Sequence, residues 1–291
     1  MAQLSSPAAL DQAAPTLAEA PAPERPRLRD RRWGDLPTVV RRTLLLAVLL
    51  LAWQLAVSYG GVNPLLVAGP IDVAKAIGRG VQDGDLVHST LVTLRVLAEA
   101  LGIGVVVAAV LTTFATWTRL GEDLLVLLTA MLNPLPAVAI LPLAMLWFGI
   151  NTTALIVVIA NAVVWPIAIN VSQGFRTANP TVVAVGRNIG LRGWRMVWYV
   201  LMPAALPHTV SGLKSAWAFG WRTIIAAELV FGVAGKGGGL GYFINNAKTY
   251  LHVDDAFAGL VTIAVIGIVF DLVFAWIEKK TVVAWGMKTG S

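Results

Sequence analysis

The feature that most constrains this chain is a series of six apolar runs, at about 44–57, 91–114, 124–148, 153–171, 206–230 and 257–277. A helix needs about 20 apolar residues to cross the hydrocarbon core of a bilayer. Backbone N–H and C=O groups cannot stay unpaired there, so such runs fold as helices packed against one another. Composition agrees: 57% of the 291 residues are hydrophobic and 13% are charged, whereas a soluble domain is about a quarter charged. The expected fold class is an all-α membrane protein with six transmembrane helices.

Charge placement predicts the orientation. Arg27, Arg29, Arg31, Arg32, Arg41 and Arg42 precede the first run, and Lys279, Lys280 and Lys288 follow the last. Six crossings put both ends on one side, together with the basic stretch 176–195, and positive segments stay in the cytoplasm. The connections at 60–88 and 231–255 then lie outside. The first includes a short amphipathic piece, 71–81. Residues 1–26, rich in Ala and Pro, lack the apolar side chains for a core and are expected to be disordered. The first run resembles a signal peptide only superficially, because no small-residue cleavage site follows it. The chain divides into a basic, disordered cytoplasmic N-terminus (1–42), a first span with its outer loop (43–85), a transmembrane domain (86–278) and a cytoplasmic tail (279–291).

Between the fourth and fifth runs lies NPTVVAVGRNIGLRGWRMVWYVLMPAALP, residues 179–207. Asn179 suits a helix N-cap and Pro180 the first helical position. Val182, Val183 and Val185 give that helix an apolar side. Gly190 permits a sharp turn, and a second helix is expected from Arg192 to Leu201, stopped by Pro203. The charges here are Arg176, Arg187, Arg192 and Arg195, with no carboxylate. The result is a basic helix–turn–helix whose leftover apolar side chains need cover.

The spacing of this stretch resembles the cytoplasmic signature of ABC-importer membrane subunits: Glu-Ala-Ala, three residues, Gly, nine residues, Ile-x-Leu-Pro. Its positions are filled here by Ala184, Val185 and Gly186, then Gly190, then Val200, Met202 and Pro203; the leading glutamate is absent. The text that follows, PAALPHTVSGLKSAWAFGWRTIIAAELV, resembles the nitrate/sulfonate/taurine branch of that family, and the likeness runs from about Leu86 to Ile277. The resemblance implies a type I ABC importer permease fold with cytoplasmic coupling helices, in a bacterial cytoplasmic membrane. It also implies three partners: a second permease copy, cytoplasmic ABC ATPase subunits and an external solute-binding protein. The basic loop would dock into the ATPase, with Arg187, Gly190, Leu191, Trp194 and Arg195 at the contact. Membrane lipid is the other expected neighbour of these arginines and tryptophans, and no nucleic acid is expected. The family's substrates are small anions such as sulfonates, taurine and nitrate.

The chain carries no chemistry of its own that would power a pump. There is no cysteine, and His88, His208 and His252 lack metal-ligand spacing. In AGKGGGLGY (234–242), Lys236 is followed by Gly237 and position 230 is Val, so no phosphate-binding loop is formed. The bland reading of this segment is a turn before a short surface or re-entrant helix. No cofactor and no enzymatic activity are expected; ATP hydrolysis belongs to a partner.

Ionisable residues inside spans are candidate pathway residues. Arg222 lies about 24 Å along the fifth run at 1.5 Å per residue. Glu228, six residues on, is turned about 240° away, so the two cannot pair on a straight helix. Arg222 is the candidate for attracting an anion, with Glu228 and Asn161 as further pathway candidates. Arg95 and Glu99 share a helix face and are expected to pair. Asn161 and Asn170 suit interhelical hydrogen bonds, and Gly102, Gly104, Gly259 and Gly267 suit close helix contacts. The alternative function is a self-contained, ion-coupled secondary carrier. It calls for a chain of intramembrane carboxylates or a repeated architecture, and neither is evident.

Overall fold

Proline, glycine and small capping residues cut the apolar sequence into helices. The structure is a computed structural model that describes residues 37–61, 63, 66–231 and 238–283. Every regular element among these is helical. The readings made for 1–36, for 232–237 and for Lys288 lie outside the described residues. The chain forms two compact units, residues 1–52 and 53–291. The described part of the first unit is most of helix α1 (Thr38–Tyr59), which follows Pro37 directly. Arg41 and Arg42 thus sit in the first turns of α1, whereas a tail reaching residue 42 was expected.

The second unit opens with the end of α1 and the amphipathic helix α2 (Pro70–Gln82), at its expected place. Gly84, at φ +84°, turns the chain into α3 (Asp85–Trp117). The Thr118 hydroxyl then accepts from the Gly121 N–H at 2.9 Å and starts α4 (Arg119–Leu132). Arg119, Glu122 and Asp123 lie in the first two turns of α4. The expected single span 124–148 is broken. α4 and α5 (Ala137–Phe148) meet at 100°. Pro134 and Pro136 fall in the break, and neither has the N–H needed to continue the helical ladder.

Helix α6 (Thr152–Arg176) starts where the Asn151 side chain accepts from the N–H groups of Thr153 and Ala154. The basic connection holds α7 (Pro180–Asn188), a short α8 (Trp194–Met196), a π turn (Val197–Leu201) and α9 (Met202–Ala204). Then come α10 (Leu206–Phe231), α11 (Leu240–Thr249) and α12 (Val253–Glu278). Within this unit α6 is the hub, packed along α3, α5 and α10. Two thirds of its apolar window (67%) lies inside the protein, against 0% for α12, so α6 faces protein and α12 keeps its apolar surface outward. Gly104 allows a close approach of α3 to α6: a Cβ there would overlap Val163. Gly259 does the same for Ile244 of α11, whereas Gly102 and Gly267 have nothing closer than 4.0 Å.

The six-span expectation is met in part. Among the described residues, α1, α3, α6 and α12 are long and apolar enough to cross a membrane, and the bent α4–α5 pair makes at most a fifth. Helix α10 has the length, at 26 residues, but carries Lys214, Arg222 and Glu228. Lys279 and Lys280, expected in the tail, continue helically from α12 in a π turn (Lys279–Val283).

Candidate functional site

Two polar clusters stand out in the second unit, near the two ends of α3. Thr93 and Trp117 mark them, 24 residues or about 36 Å apart along that helix.

The first is the basic turn. Asn179 caps α7 as expected, its side chain accepting from the Thr181 N–H at 2.9 Å. At the other end of α7, Leu191 N–H donates to Gly186 O at 2.9 Å and Gly190 N–H to Arg187 O at 3.0 Å. With Gly190 at φ +85° this is the paired-bond helix stop that favours glycine. Gly186 lies against the next segment: a Cβ there would meet Val200 at 3.1 Å and Met196 at 3.2 Å. Met196, Val197, Val200 and Leu201 form a small buried core with Val183, Phe175, Ala178 and Leu191 packed on it. Of the three valines expected to give α7 its apolar side, Val183 alone packs there. Val182 and Val185 are about half exposed and, with Ile189, form an outward apolar stripe.

The second helix of this motif departs from expectation. It begins at Trp194 and changes to a π turn over Val197–Leu201, and Pro203 does not stop it. Pro203 instead sits in the first turn of α9, where its missing N–H costs nothing. Trp194, 58% exposed, lies beside Arg195, whose guanidinium is 5.7 Å from the indole centroid. Arg187 and Leu191 instead line a cleft of about 690 Å³. The motif positions Val200, Met202 and Pro203 follow in the π turn and α9, and Val200 is buried. The turn is anchored on both sides. Thr177, at the end of α6, and His208 of α10 lie within hydrogen-bond distance, 3.1 Å. Arg176 pairs with Glu122 of α4 at 2.9 Å, a bond the charge pattern did not reveal.

The second cluster is a buried clasp. Glu228 of α10 is fully buried. Its carboxylate accepts from the Thr93 hydroxyl of α3, 3.0 and 3.1 Å from the two oxygens, and from the Gly241 N–H at 2.9 Å. The Thr93 hydroxyl in turn accepts from the Leu240 N–H at 2.8 Å. Leu240 and Gly241 open α11, so the carboxylate meets the positive end of that helix. A Cβ on Gly239 would collide with the Glu228 carboxylate and the Thr93 hydroxyl, and one on Gly241 would lie 2.8 Å from Ile225 O. Sequence reasoning found Glu228 but missed its partners. The available signal was the Gly239-x-Gly241 spacing just after a lone carboxylate in an apolar helix.

The three pathway candidates are not brought together by contacts. Arg222 is exposed, 5.9 Å from the Phe219 ring centroid, and has no ion pair among the described residues. It does not pair with Glu228, as the helical angle required. Asn161 accepts from Trp165 Nε1 at 3.2 Å, and Asn170 donates to Pro166 O at 2.8 Å. Both bonds lie within α6, which corrects the interhelical expectation. Arg95 and Glu99 pair at 2.9 Å, as expected. Asp271 lies 3.9 Å from Lys214. On the surface near the clasp, Arg79 of α2 pairs with Asp254 of α12, and that carboxylate raises the arginine's already high pKa. Among the described residues no three His, Asp or Glu side chains are grouped to hold a metal.

Comparison with known proteins places this geometry. The family described as "binding-protein-dependent transport system inner membrane component" matches residues 100–283. The taurine transport system permease protein TauC of Escherichia coli is 27% identical over 259 residues, covering 86% of this chain and 91% of that protein. A permease protein named for aliphatic sulfonates transport, SsuC of the same organism, is 30% identical over 228 residues, with coverages of 78% and 85%. The bicarbonate transport system permease protein CmpB of Synechococcus elongatus is 28% identical over 242 residues, with coverages of 79% and 84%. Among solved structures, the crystal structure of an amino acid ABC transporter with histidines shares the fold. Its TM-score is 0.54 at 17% identity, over 69% of this chain and 94% of that one.

Proposed function

Because the chain belongs to the family of inner membrane components of binding-protein-dependent transport systems, we propose that it forms the pathway by which a small oxyanion, a sulfonate or a similarly sized anion, enters the cell. Membership makes the chain a membrane-embedded permease subunit of an ABC importer. The ATPase lies in a separate subunit and the solute-binding protein in another, so a self-contained carrier is set aside. Family membership over residues 100–283 is the observation that carries the reading. The choice of an anion is supported by relatives named for taurine, aliphatic sulfonates and bicarbonate. It is also supported by Arg222, a cation on a long apolar helix with no carboxylate partner among the described residues.

In this reading the basic turn faces the cytoplasm together with both termini, because its arginines and the terminal lysines then obey one charge rule. The ATPase engages the outward side of the turn, where Val182, Val185, Ile189, Trp194 and Arg195 are exposed. Arg187, which is exposed, and Leu191 line the cleft beside that contact. Gly190 holds the angle between α7 and α8, and the motif residues Val200, Met202 and Pro203 carry movement into α10. A second copy of the chain completes the pathway and covers apolar surface such as that of α12. Arg222 and Asn161 belong to the pathway. Glu228 serves it from behind by holding α11 at the outer mouth.

The test is uptake into proteoliposomes holding the permease, its ATPase and its binding protein. Saturable, ATP-dependent uptake of a sulfonate, reduced about tenfold or more by Arg222→Gln through loss of one charge-assisted contact, supports the reading. Unchanged uptake by Arg222→Gln removes Arg222 from it. ATP-dependent uptake of neutral solutes alone overturns the anion assignment.

A further inference from the structure

The cleft under the basic turn is amphipathic, and its occupant is not named by the transport function. Its walls come from the ends of α3, α4 and α6 and from the turn itself. The floor is apolar, with Leu125, Phe175 and Met196, and carries the hydroxyls of Thr112, Thr116 and Ser172. The Thr112 and Thr116 hydroxyls donate to carbonyls of their own helix, so they do not need a ligand. The rim is different. Arg176, Arg187 and Arg192 line it with one carboxylate, Glu122, which Arg176 already holds at 2.9 Å. Arg187 and Arg192 have no ion pair among the described residues, and both are exposed. Trp117, 66% exposed, lines the same cleft, and Gly193 packs near its indole: a Cβ there would be 3.6 Å from the ring.

A free anion would need only the two guanidinium groups, whereas the apolar floor beneath them asks for hydrocarbon. Guanidinium matches phosphate geometry, and basic pockets between membrane helices accept anionic headgroups. The volume, about 690 Å³, is larger than a headgroup phosphate alone requires. We propose that this cleft binds one anionic phospholipid, its phosphate between Arg187 and Arg192 and the start of an acyl chain against Leu125 and Phe175. Arg187 and Arg192 flank Gly190, whose positive φ sets the turn. The bound lipid therefore braces the turn against α3 and α4, and the stiffness of the turn depends on anionic lipid. The leaflet assignment rests on the cytoplasmic placement proposed above. Binding itself does not, since a symmetric bilayer offers the lipid to both faces.

The test uses the full chain in nanodiscs of phosphatidylcholine alone or mixed with phosphatidylglycerol, followed by native mass spectrometry of the released protein. One phosphatidylglycerol per chain is expected to stay bound. Arg187→Gln with Arg192→Gln should weaken its retention about thirtyfold, from two surface arginine contacts. Lys279→Gln with Lys280→Gln, outside the cleft, should leave it unchanged. Equal thermal stability of wild type and the cleft variant in phosphatidylcholine shows that the variant folds; if it does not fold, Arg187→Lys with Arg192→Lys, which keeps charge but loses the fork, is expected to weaken retention in its place. Retention equal in the wild type and the folded variant overturns the proposal. So does stabilisation by inorganic phosphate in lipid-free detergent to the same degree, which would make the ligand a free anion. Displacement of the lipid on adding the ATPase subunit would make the cleft a protein-docking surface and overturns it as well.

Discussion

Replacing Thr93 by valine isolates the buried clasp, because the two side chains have nearly the same shape. The hydroxyl has two roles: it donates to the Glu228 carboxylate at 3.0 Å and accepts from the Leu240 N–H at 2.8 Å. Valine removes both. The carboxylate then keeps one protein donor, Gly241 N–H, and the Leu240 N–H is left buried without an acceptor. A hydrogen bond to a charged group contributes about 1.5–3 kcal/mol and an orphaned buried donor costs about 1–3 kcal/mol, so a combined loss of about 3 kcal/mol or more is expected. For a chain of this size that corresponds to a fall in Tm of about 5 °C. Thr112→Val is the matched control. Thr112 is as buried as Thr93, but its hydroxyl donates only to Ala108 O and Ala109 O of its own helix, at 2.8 and 3.2 Å. Its loss should cost less than about 1 kcal/mol. The assay is thermal unfolding of both variants in one detergent. Equal Tm values for Thr93→Val and Thr112→Val would refute the claim that the clasp holds α11 in place.

Other substitutions test the close contacts. Gly239→Ala puts a methyl group onto the Glu228 carboxylate and should lower Tm at least as far as Thr93→Val; an unchanged Tm would mean that α11 has another stable position. Gly104→Val overlaps Val163 at the crossing of α3 and α6, and overpacking of about 1–3 kcal/mol should appear as lower yield of folded protein in detergent. Gly190→Val forces a branched side chain to φ +85°, a strain of about 1–2 kcal/mol. Because nothing lies within 4 Å of a Cβ there, the fold should survive while ATP-driven uptake falls, and uptake at the wild-type rate would count against the turn as the coupling element.

Local signals carried much of this fold. Asn179, Pro180 and Gly190 define α7 and its stop through bonds that span a few residues, so the sequence pattern alone was enough to place them. The amphipathic α2 was likewise legible. Signals that act at a distance were not. The 100° bend at Pro134 and Pro136 was one, because an apolar run does not say whether its halves stay collinear. The π turn at Val197–Leu201 is set by packing of Met196, Val200 and Leu201 on Phe175 and Val183, not by its own residues. Glu228 drew attention as an ionisable group in an apolar helix, but its partners lie 135 residues before it and 13 after it. No periodicity connects such positions. Asn161 and Asn170 were misjudged for the opposite reason, since their partners lie four residues away on the same helix.

The claim most in need of a direct test is that this permease is driven by a separate ATPase engaged at the basic turn. The decisive measurement is a mild-detergent pull-down of the tagged full chain, with mass spectrometry of the proteins recovered, for the wild type and for Gly190→Val. The account predicts that an ABC ATPase subunit accompanies the wild type and is depleted with Gly190→Val, while both chains remain folded. Recovery of the chain alone, together with solute uptake in liposomes driven by an ion gradient without any ATPase, would contradict it.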